Sequence, residues 1–257
     1  MSMIPVVLLS GGRGIYLDDS GRRRSKGLVR IAGAEMFLHV MRHYARGGFR
    51  RFIVCAGAQA EAYRRILAAS SSAAEGEKDA FALAIEGQPC TVQLVETGED
   101  AATGTRLNRI KALVAAAPWF CVSYSDTLCG ADLKQLADFH IRNGKIATLI
   151  AARVPTRFRI LGLREGESLV RGFAGKSVIQ KDYINGGFYC FTQRIFEAAY
   201  LGAKEEIVLE EAVLDRLVLD QQLVAWAYEG PWQHLDSERD LAKLEVLTAR
   251  GAAVSKA

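Results

Sequence analysis

The sequence predicts an α/β fold: a mainly parallel central sheet with helices on both faces and a small antiparallel region at its edge. Three observations carry that reading. Compact apolar runs recur along the first half of the chain, most of them are followed by a stretch of helical periodicity, and the crossovers are long enough to return the chain for parallel pairing. Past residue 143 the pieces shorten to strand length and are separated by turns, which predicts the antiparallel part.

The first strand spans 4–9 (IPVVLL) and stops abruptly at Ser10, Gly11, Gly12, Arg13 and Gly14. Residues 27–31 read as a short extended piece. A helix follows over 34–46, with Met36, Phe37, Val40, Met41 and Tyr44 on its apolar side and Gly47 and Gly48 at its end. Residues 52–56 form the second strand and 59–68 the helix that returns across the sheet. The small polar run AASSSAAEG then opens a peripheral insertion at about 69–90, inside a single domain covering 1–257.

A strand at 91–95 leads through TGEDAATGTRLNR into a helix over 105–116. The apolar strand 119–124 delivers Ser125 and Asp126 at its carboxyl end, and a new helix starts near Asp132. Beyond Asn143 and Gly144, strands at 147–152, 160–164 and 169–173 fit hairpins at the sheet's edge. Residues 183–191 (YINGGFYCF) form a strand whose two glycines signal a bulge or the close approach of a ligand. Helices at 193–200 and 207–217, a strand at 223–228 and a closing helix over 237–250, entered through GPWQHLD, complete the chain. No internal repeat is present.

Of the 257 residues, 50% are hydrophobic and 24% charged, enough to bury a sizeable core. The 33 basic and 29 acidic residues leave a net charge of +4, too small to single out nucleic acid or a membrane as partner, and compatible with small anionic substrates. The amino-terminal apolar run is shorter than a signal-peptide core and no segment approaches a membrane span, so a soluble cytoplasmic protein is expected. Cys55, Cys90, Cys121, Cys129 and Cys190 form no CxxC pair and read as buried free thiols. His39 and His43 lie four apart on a helix with no third metal ligand spaced nearby, and read as part of its packed face.

Chemistry gathers at the ends of strands. A glycine turn after a buried strand brings bare N–H groups close to a ligand, and Arg22, Arg23, Arg24 and Lys26 follow it. Strand, turn and basic tail together point to a polyphosphate site. The turn matches neither GxxxxGK[ST] nor GxGxxG, and an isolated GGxG is as often only a turn. Asp126 and Asp236 each follow a strand. Such acids suit Mg²⁺, which commonly takes one or two carboxylates plus substrate phosphates, and each alone would also serve as a helix N-cap.

The segments LLSGGRG, VETGEDAATGTRLNRI, FCVSYSD, DFHIRNGKIATL, RVPTRF, YINGGFYCF and WQHLDSERDLAKLE run through nearly the whole chain. Together they resemble the sugar-nucleotide pyrophosphorylases, most of all the glucose-1-phosphate cytidylyltransferase branch. The resemblance implies a Rossmann-like three-layer nucleotidyltransferase fold. It also implies cytidylyl transfer from CTP to a sugar 1-phosphate or related small phosphorylated acceptor, giving a CDP-linked product and pyrophosphate, with Mg²⁺ as cofactor. By motif match, Gly11, Gly12 and Gly14 would cradle the triphosphate, Gly104 would lie against the cytosine, and Lys26 would contact phosphate. Lys176 would contact the sugar phosphate, Asn185 and Gly186 would face the sugar, and Asp126 and Asp236 would hold the metal. A homo-oligomer is expected, and 70–88 reads as an ordinary surface loop or as the segment to examine for subunit contacts.

The family's GGxGTRL reads Gly11-Gly12-Arg13-Gly14-Ile15-Tyr16-Leu17 here, which puts Tyr16 where the pattern has arginine. A phenol lacks the guanidinium fork, and a charge-assisted phosphate contact is worth about 1.5 to 3 kcal/mol. Arg13, or one of Arg22, Arg23 and Arg24, is the candidate to replace it. The family's PKP and ExKP stretches keep Lys26 and Lys176 but lose their prolines and the acid, which leaves the acceptor's identity open. Arg159 replaces a glycine and reads as a second anion contact or a solvated strand residue. Two other classes stay open: a nucleotide-binding or regulatory homologue without catalysis, and a glycosyltransferase of similar fold with Asp126 as metal ligand.

Overall fold

The computed structural model describes residues 3–11, 15–17, 23–71, 79–153, 160–161, 173–174, 183–202 and 206–254. β1 (Pro5–Leu9) is buried at every position. Val6 and Leu8 enter one core and Val7 and Leu9 the other, because successive strand side chains point to opposite faces. A strand apolar on both sides must be covered twice, and the three-layer architecture follows from that requirement.

Two small antiparallel ribbons come next. β2 (Ile15–Leu17) pairs with β3 (Arg23–Ser25), and β4 (Arg30–Ile31) with β5 (Ala34–Glu35). Between them Lys26–Leu28 makes one 3₁₀ turn where an extended piece was expected. α1 (Met36–Arg46), β6 (Arg51–Ala56) and α2 (Ala60–Ser70) follow the predicted alternation. β7 (Ala80–Ile85) and β8 (Gln88–Glu96) then form a hairpin. The helix expected over 105–116 is two pieces, α3 (Thr103–Arg109) and α4 (Lys111–Val114), parted at Ile110, whose φ and ψ of −106° and 7° leave the helical well.

β9 (Trp119–Tyr124) runs directly into the short β10 (Thr127–Cys129). α5 (Leu133–Asn143) is capped by Asp132, which accepts from the Lys134 N–H at 2.9 Å, and is stopped by Gly144 at φ +62°. β11 (Ala147–Ala152), the two-residue β12 (Ile160–Leu161) and β13 (Phe173–Ala174), and β14 (Ile184–Thr192) come next. The segments expected as helices at 193–200 and 207–217 are a 3₁₀ turn, Gln193–Phe196, and a π turn, Leu209–Val213, leading into α6 (Leu214–Leu219). β15 (Leu223–Tyr228), β16 (Trp232–His234) and α7 (Glu238–Val254) close the chain.

The eight-stranded sheet has the order β15-β11-β14-β9-β1-β6-β8-β7. Only β14 and β7 run against the rest. β11 therefore lies inside the sheet, between β14 and β15, and not in an edge hairpin. Its six consecutively buried residues lack the alternation of a half-exposed strand and fit an interior position. The glycine-bearing β14 carries the predicted bulge, a register shift opposite Leu149 and Ala151. α1, α2, α5 and α7 cover one face of the sheet, and α3, α4 and α6 the other. All five cysteines are free and buried, as their apolar surroundings predict. Among the described residues no helix is long and apolar enough to cross a membrane.

His140, on the inner side of α5, bonds Thr148 Oγ1 through Nδ1 at 2.8 Å and meets the Trp119 ring edge-on. Burial pushes its pKa from 6.5 down to about 4. The unfolded chain thus takes up a proton that the folded one refuses, so stability is lost as pH falls from about 6.5 towards 4. In urea unfolding at pH 7 and pH 4.5 this residue is expected to account for about 2 to 3 kcal/mol of lost stability, and His140→Asn to lessen the drop by that amount.

Candidate functional site

β1 is the switch point of the sheet, with β6 on one side and β9 on the other, and a crevice opens at the carboxyl ends of strands at such a point. Ser10 and Gly11 leave β1 there, and Ser125 and Asp126 leave β9. Because β14 runs the other way, its amino end, Ile184–Gly186, arrives at the same edge. The two-stranded pairing of β10 with β16 brings in the last part: Thr127 stands opposite His234, and the Leu235 N–H donates to the Asp126 carbonyl at 3.0 Å. Two acids more than a hundred residues apart are thereby fixed to one ribbon.

Lys26 is seated by its neighbours. The Ser25 N–H donates to Gln59 Oε1 at 2.8 Å, and the Ser25 hydroxyl lies 2.8 Å from the Tyr63 hydroxyl and donates to the Ser10 carbonyl at 3.2 Å. Gly27 is buried against Ser125, where a Cβ would come within 2.6 Å of the Ser125 hydroxyl. No larger residue could follow Lys26 without pushing the segment off the end of β9.

The ammonium of Lys26 stands 2.5 Å from Asp236 Oδ1, 3.2 Å from His234 Nε2 and 4.0 Å from Asp126 Oδ2. His234 spans the two acids, with Nδ1 3.5 Å from Asp126 Oδ1 and Nε2 3.1 Å from Asp236 Oδ1. Burial raises the Asp126 pKa, and His234 and Lys26 pull it back only in part. For Asp236 burial acts in the same direction, but the hydrogen bond from Lys26 and the adjacent charges outweigh it and hold that carboxyl below its usual range. Neither acid is a helix cap. Asp126 leads into β10, and Asp240 takes the N–H groups of Asp236 and Ser237 ahead of α7.

Arg106, in the TGTRL segment, is fully buried. Its guanidinium donates to the carbonyls of Gly11, Ala56, Gly98 and Glu99 and to the Thr97 hydroxyl, all neutral oxygens. It thus joins the glycine turn to the loop after β8. Gly11 and Gly57 face one another there, and a Cβ on Gly57 would lie 2.7 Å from the Gly11 carbonyl.

Asn185 donates to the Tyr189 hydroxyl at 2.7 Å, and its Oδ1 accepts the Gly187 N–H. Gly186 is held by the Trp232 indole, which donates to its carbonyl at 2.8 Å and so joins β14 to β16 two residues before His234. The structure therefore brings Lys26, Asp126 and Asp236 together, with Gly11 joined to them through Ser10 and Asn185 and Gly186 on the adjoining rim. Gly104 is bound elsewhere, its N–H donating to the Ile207 carbonyl and its open side filled by Ile207 and Leu201. Gly12, Arg13, Gly14, Lys176, Arg22 and Arg159 lie outside the described residues. His234 and Arg106 were not singled out from sequence. A histidine two residues before an acid, and an arginine on a polar helix, carry no signal of their own.

Two carboxylates around one cation are a donor set for a hard divalent ion, and the Lys26 ammonium fills that place here. Among the described residues, no three His, Cys, Asp or Glu side chains stand at metal-enclosing spacing. An ion at this point would complete its shell from phosphate and water.

Residues 5–235 match the family described as nucleotidyl transferase. Glucose-1-phosphate cytidylyltransferase of Salmonella typhimurium is 31% identical over 255 residues, covering 96% of this chain and 96% of the relative. Mannose-1-phosphate guanylyltransferase catalytic subunit beta of Drosophila pseudoobscura is 26% identical, over 91% of this chain and 59% of the relative. Among solved structures, HddC from Yersinia pseudotuberculosis complexed with GMP-PN superposes with a TM-score of 0.69 at 18% identity, over 95% of this chain and 99% of that one. That last likeness concerns the fold.

The Arg106 hub makes a structural prediction independent of any reaction. Arg106→Met keeps most of the volume but takes the guanidinium away from the carbonyls of Gly11, Gly98 and Glu99, and urea unfolding is expected to show a loss of about 3 kcal/mol or more. An unchanged midpoint would show that the hub does not hold the glycine turn.

Proposed function

The chain belongs to the nucleotidyl transferase family, and we propose that this sugar-phosphate nucleotidyltransferase is a cytidylyltransferase. It would move the cytidylyl group of CTP onto a sugar 1-phosphate or related small phosphorylated acceptor. The observation that carries the reading is the convergence of Lys26, Asp126 and Asp236 at the carboxyl edge of the sheet. The choice of CTP is supported by the 31% identity to a cytidylyltransferase over nearly the whole chain, while the guanylyltransferase relative makes GTP the alternative to test.

An oxygen of the acceptor phosphate bonds to the α-phosphorus as the bond from that phosphorus to the bridging oxygen breaks, and pyrophosphate leaves with the electron pair. Such a displacement needs its partners held in line and its developing charge compensated. Gly11, just past β1, would offer its N–H to the triphosphate. Lys26 is held within reach of both acids and, once released from Asp236, has its ammonium free for a phosphate oxygen. Asn185 and Gly186 form the rim against which the acceptor sugar would rest. A divalent cation held by Asp126 and Asp236, Mg²⁺ by the chemistry of the donors, would neutralise the phosphates when bound.

The test is pyrophosphate release, measured with each nucleoside triphosphate against a panel of sugar phosphates, with Mg²⁺ and with EDTA. CTP with Mg²⁺ is expected to be the productive combination. Asp126→Asn and Asp236→Asn are each expected to lower kcat by about a hundredfold or more, and Lys26→Met by about ten- to a hundredfold. Silence across the whole panel with CTP still bound would leave a nucleotide-binding homologue without catalysis as the function.

A further inference from the structure

The eight-stranded sheet ends differently on its two sides. At β7 the outer edge is partly closed, because Ser71 bridges Leu83 and its hydroxyl bonds the Ala82 N–H at 3.3 Å and the Ala82 carbonyl at 3.2 Å. At β15 no described residue does the same. The Ala147 N–H donates to the Gln222 carbonyl and the Arg153 N–H to the Tyr228 carbonyl, so in this parallel ladder the even-numbered residues of β15 turn their backbone groups towards β11. Leu223, Ala225 and Ala227 therefore point their N–H and C=O groups outward, and among the described residues nothing pairs with them. An open strand is commonly blunted by a charge, a proline or a bulge. The sequence LVAWAY has no charge and no proline, and its register with β11 runs unbroken. The layers beside it are apolar as well: α5 and α6 pack on β15 from opposite faces, α5 exposing Ile141 at 56% and α6 exposing Val218 and Leu219 at 59% and 76%.

We propose that β15 is a self-association edge, pairing antiparallel with β15 of a second copy of this chain and joining the two sheets into one. A two-fold axis normal to the sheet keeps each face continuous, so opposed residues are both odd-numbered or both even-numbered. An axis at Ala225 sets it against the partner's Ala225, and sets Leu223 against the partner's Ala227. Every outward N–H and C=O of the two strands is then satisfied, in about six hydrogen bonds. On the other face Val224 comes opposite the partner's Trp226, a branched side chain against an aromatic one, while the alanines let the backbones approach. The strand is thus complementary to itself, which is what selects a second copy as occupant. Arg216 and Asp220, just before the strand, pair with each other at 2.9 Å and bring no net charge to the contact. A face about 20 Å long and about 30 Å deep across three layers covers about 600 Å² per partner, at the lower end of specific interfaces, so the dimer is expected to dissociate on dilution. The contact lies at the opposite end of the sheet from β7 and the insertion at about 69–90.

The experiment is sedimentation velocity of the full chain from about 1 to about 100 μM. The wild type is expected to pass from monomer to dimer over that range. Ala225→Pro removes an outward N–H without touching the β11 ladder, and Ala227→Lys places like charges on the facing strands. Both are expected to remain monomeric with the circular dichroism of the wild type. Ala225→Cys, oxidised with diamide, is expected to give a disulfide-linked dimer, since the axis holds the two opposed α-carbons about 5.5 Å apart and the native cysteines are buried. A wild type that stays monomeric throughout overturns the proposal. So does an oligomer whose mass neither folded variant changes, or an Ala225→Cys protein that forms no cross-link. If Ala225→Pro and Ala227→Lys both fail to fold, the Ala225→Cys cross-link decides.

Discussion

Two carboxylates and one cation at the carboxyl edge of the sheet form the constraint on which the rest of this structure depends. Asp126 ends a strand that is buried for five of its six residues, and its ionisation is opposed by the loss of water around it. Setting Asp236 beside it would add like-charge repulsion. The arrangement is tolerable because an ammonium lies between them, and it becomes useful because that ammonium is on a side chain that can move. A metal-bound triphosphate would bring both a cation for the acids and an anion for Lys26, so the partners could be exchanged with little charge left uncovered.

The sheet supplies only part of that geometry. Parallel pairing of β1 with β6 and β9 fixes where Ser10 and Asp126 emerge, since one residue of slippage would turn the alternating side chains into the wrong core. The placement of Asp236 comes from β10 and β16, two strands of three residues that could not persist alone. They are supported from below by α7, whose Asp240 receives the Gln233 side chain and the N–H groups of Asp236 and Ser237. Lys26 depends on a third device, the hydroxyl cluster of Ser25, Tyr63 and the Ser10 carbonyl. The loop residues of the candidate site are thus held by short hydrogen-bonded connections to the sheet.

The frame was legible in the sequence because its signals are long and redundant. Four or five consecutive apolar residues, as in 5–9, 52–56 and 119–122, have few alternatives to a buried strand, and Asp126 inherits its position from the last of these. β16 was not legible: Trp232, Gln233 and His234 show no alternation, and their pairing partner lies a hundred residues away. The burial of Arg106 was equally hidden, since an arginine in a polar helix reads as solvated until the carbonyls of Gly11, Ala56, Gly98 and Glu99 are seen to converge on it. The glycine beside it, Gly104, stood out from its motif, whereas the structure shows its small size answering to Ile207. The interior place of β11 was misread for a different reason. Short spacing between strands suggests hairpins, but the decisive feature was six buried residues without a polar one facing out.

The register of the β2–β3 ribbon bears on the one departure from the family pattern that removes charge from the glycine loop. Tyr16, where that pattern has arginine, pairs directly with Arg24. Opposed residues on an antiparallel ribbon share a face about 5 Å apart, so positions 16 and 24 belong to one face of it. Two residues later the same strand passes into Lys26. Arg24 is followed by Ser25, whose N–H is held by Gln59 and whose hydroxyl is held by Ser10 and Tyr63. The cluster that positions Lys26 thus also anchors the end of β3, so the ribbon and the lysine share one fixed support.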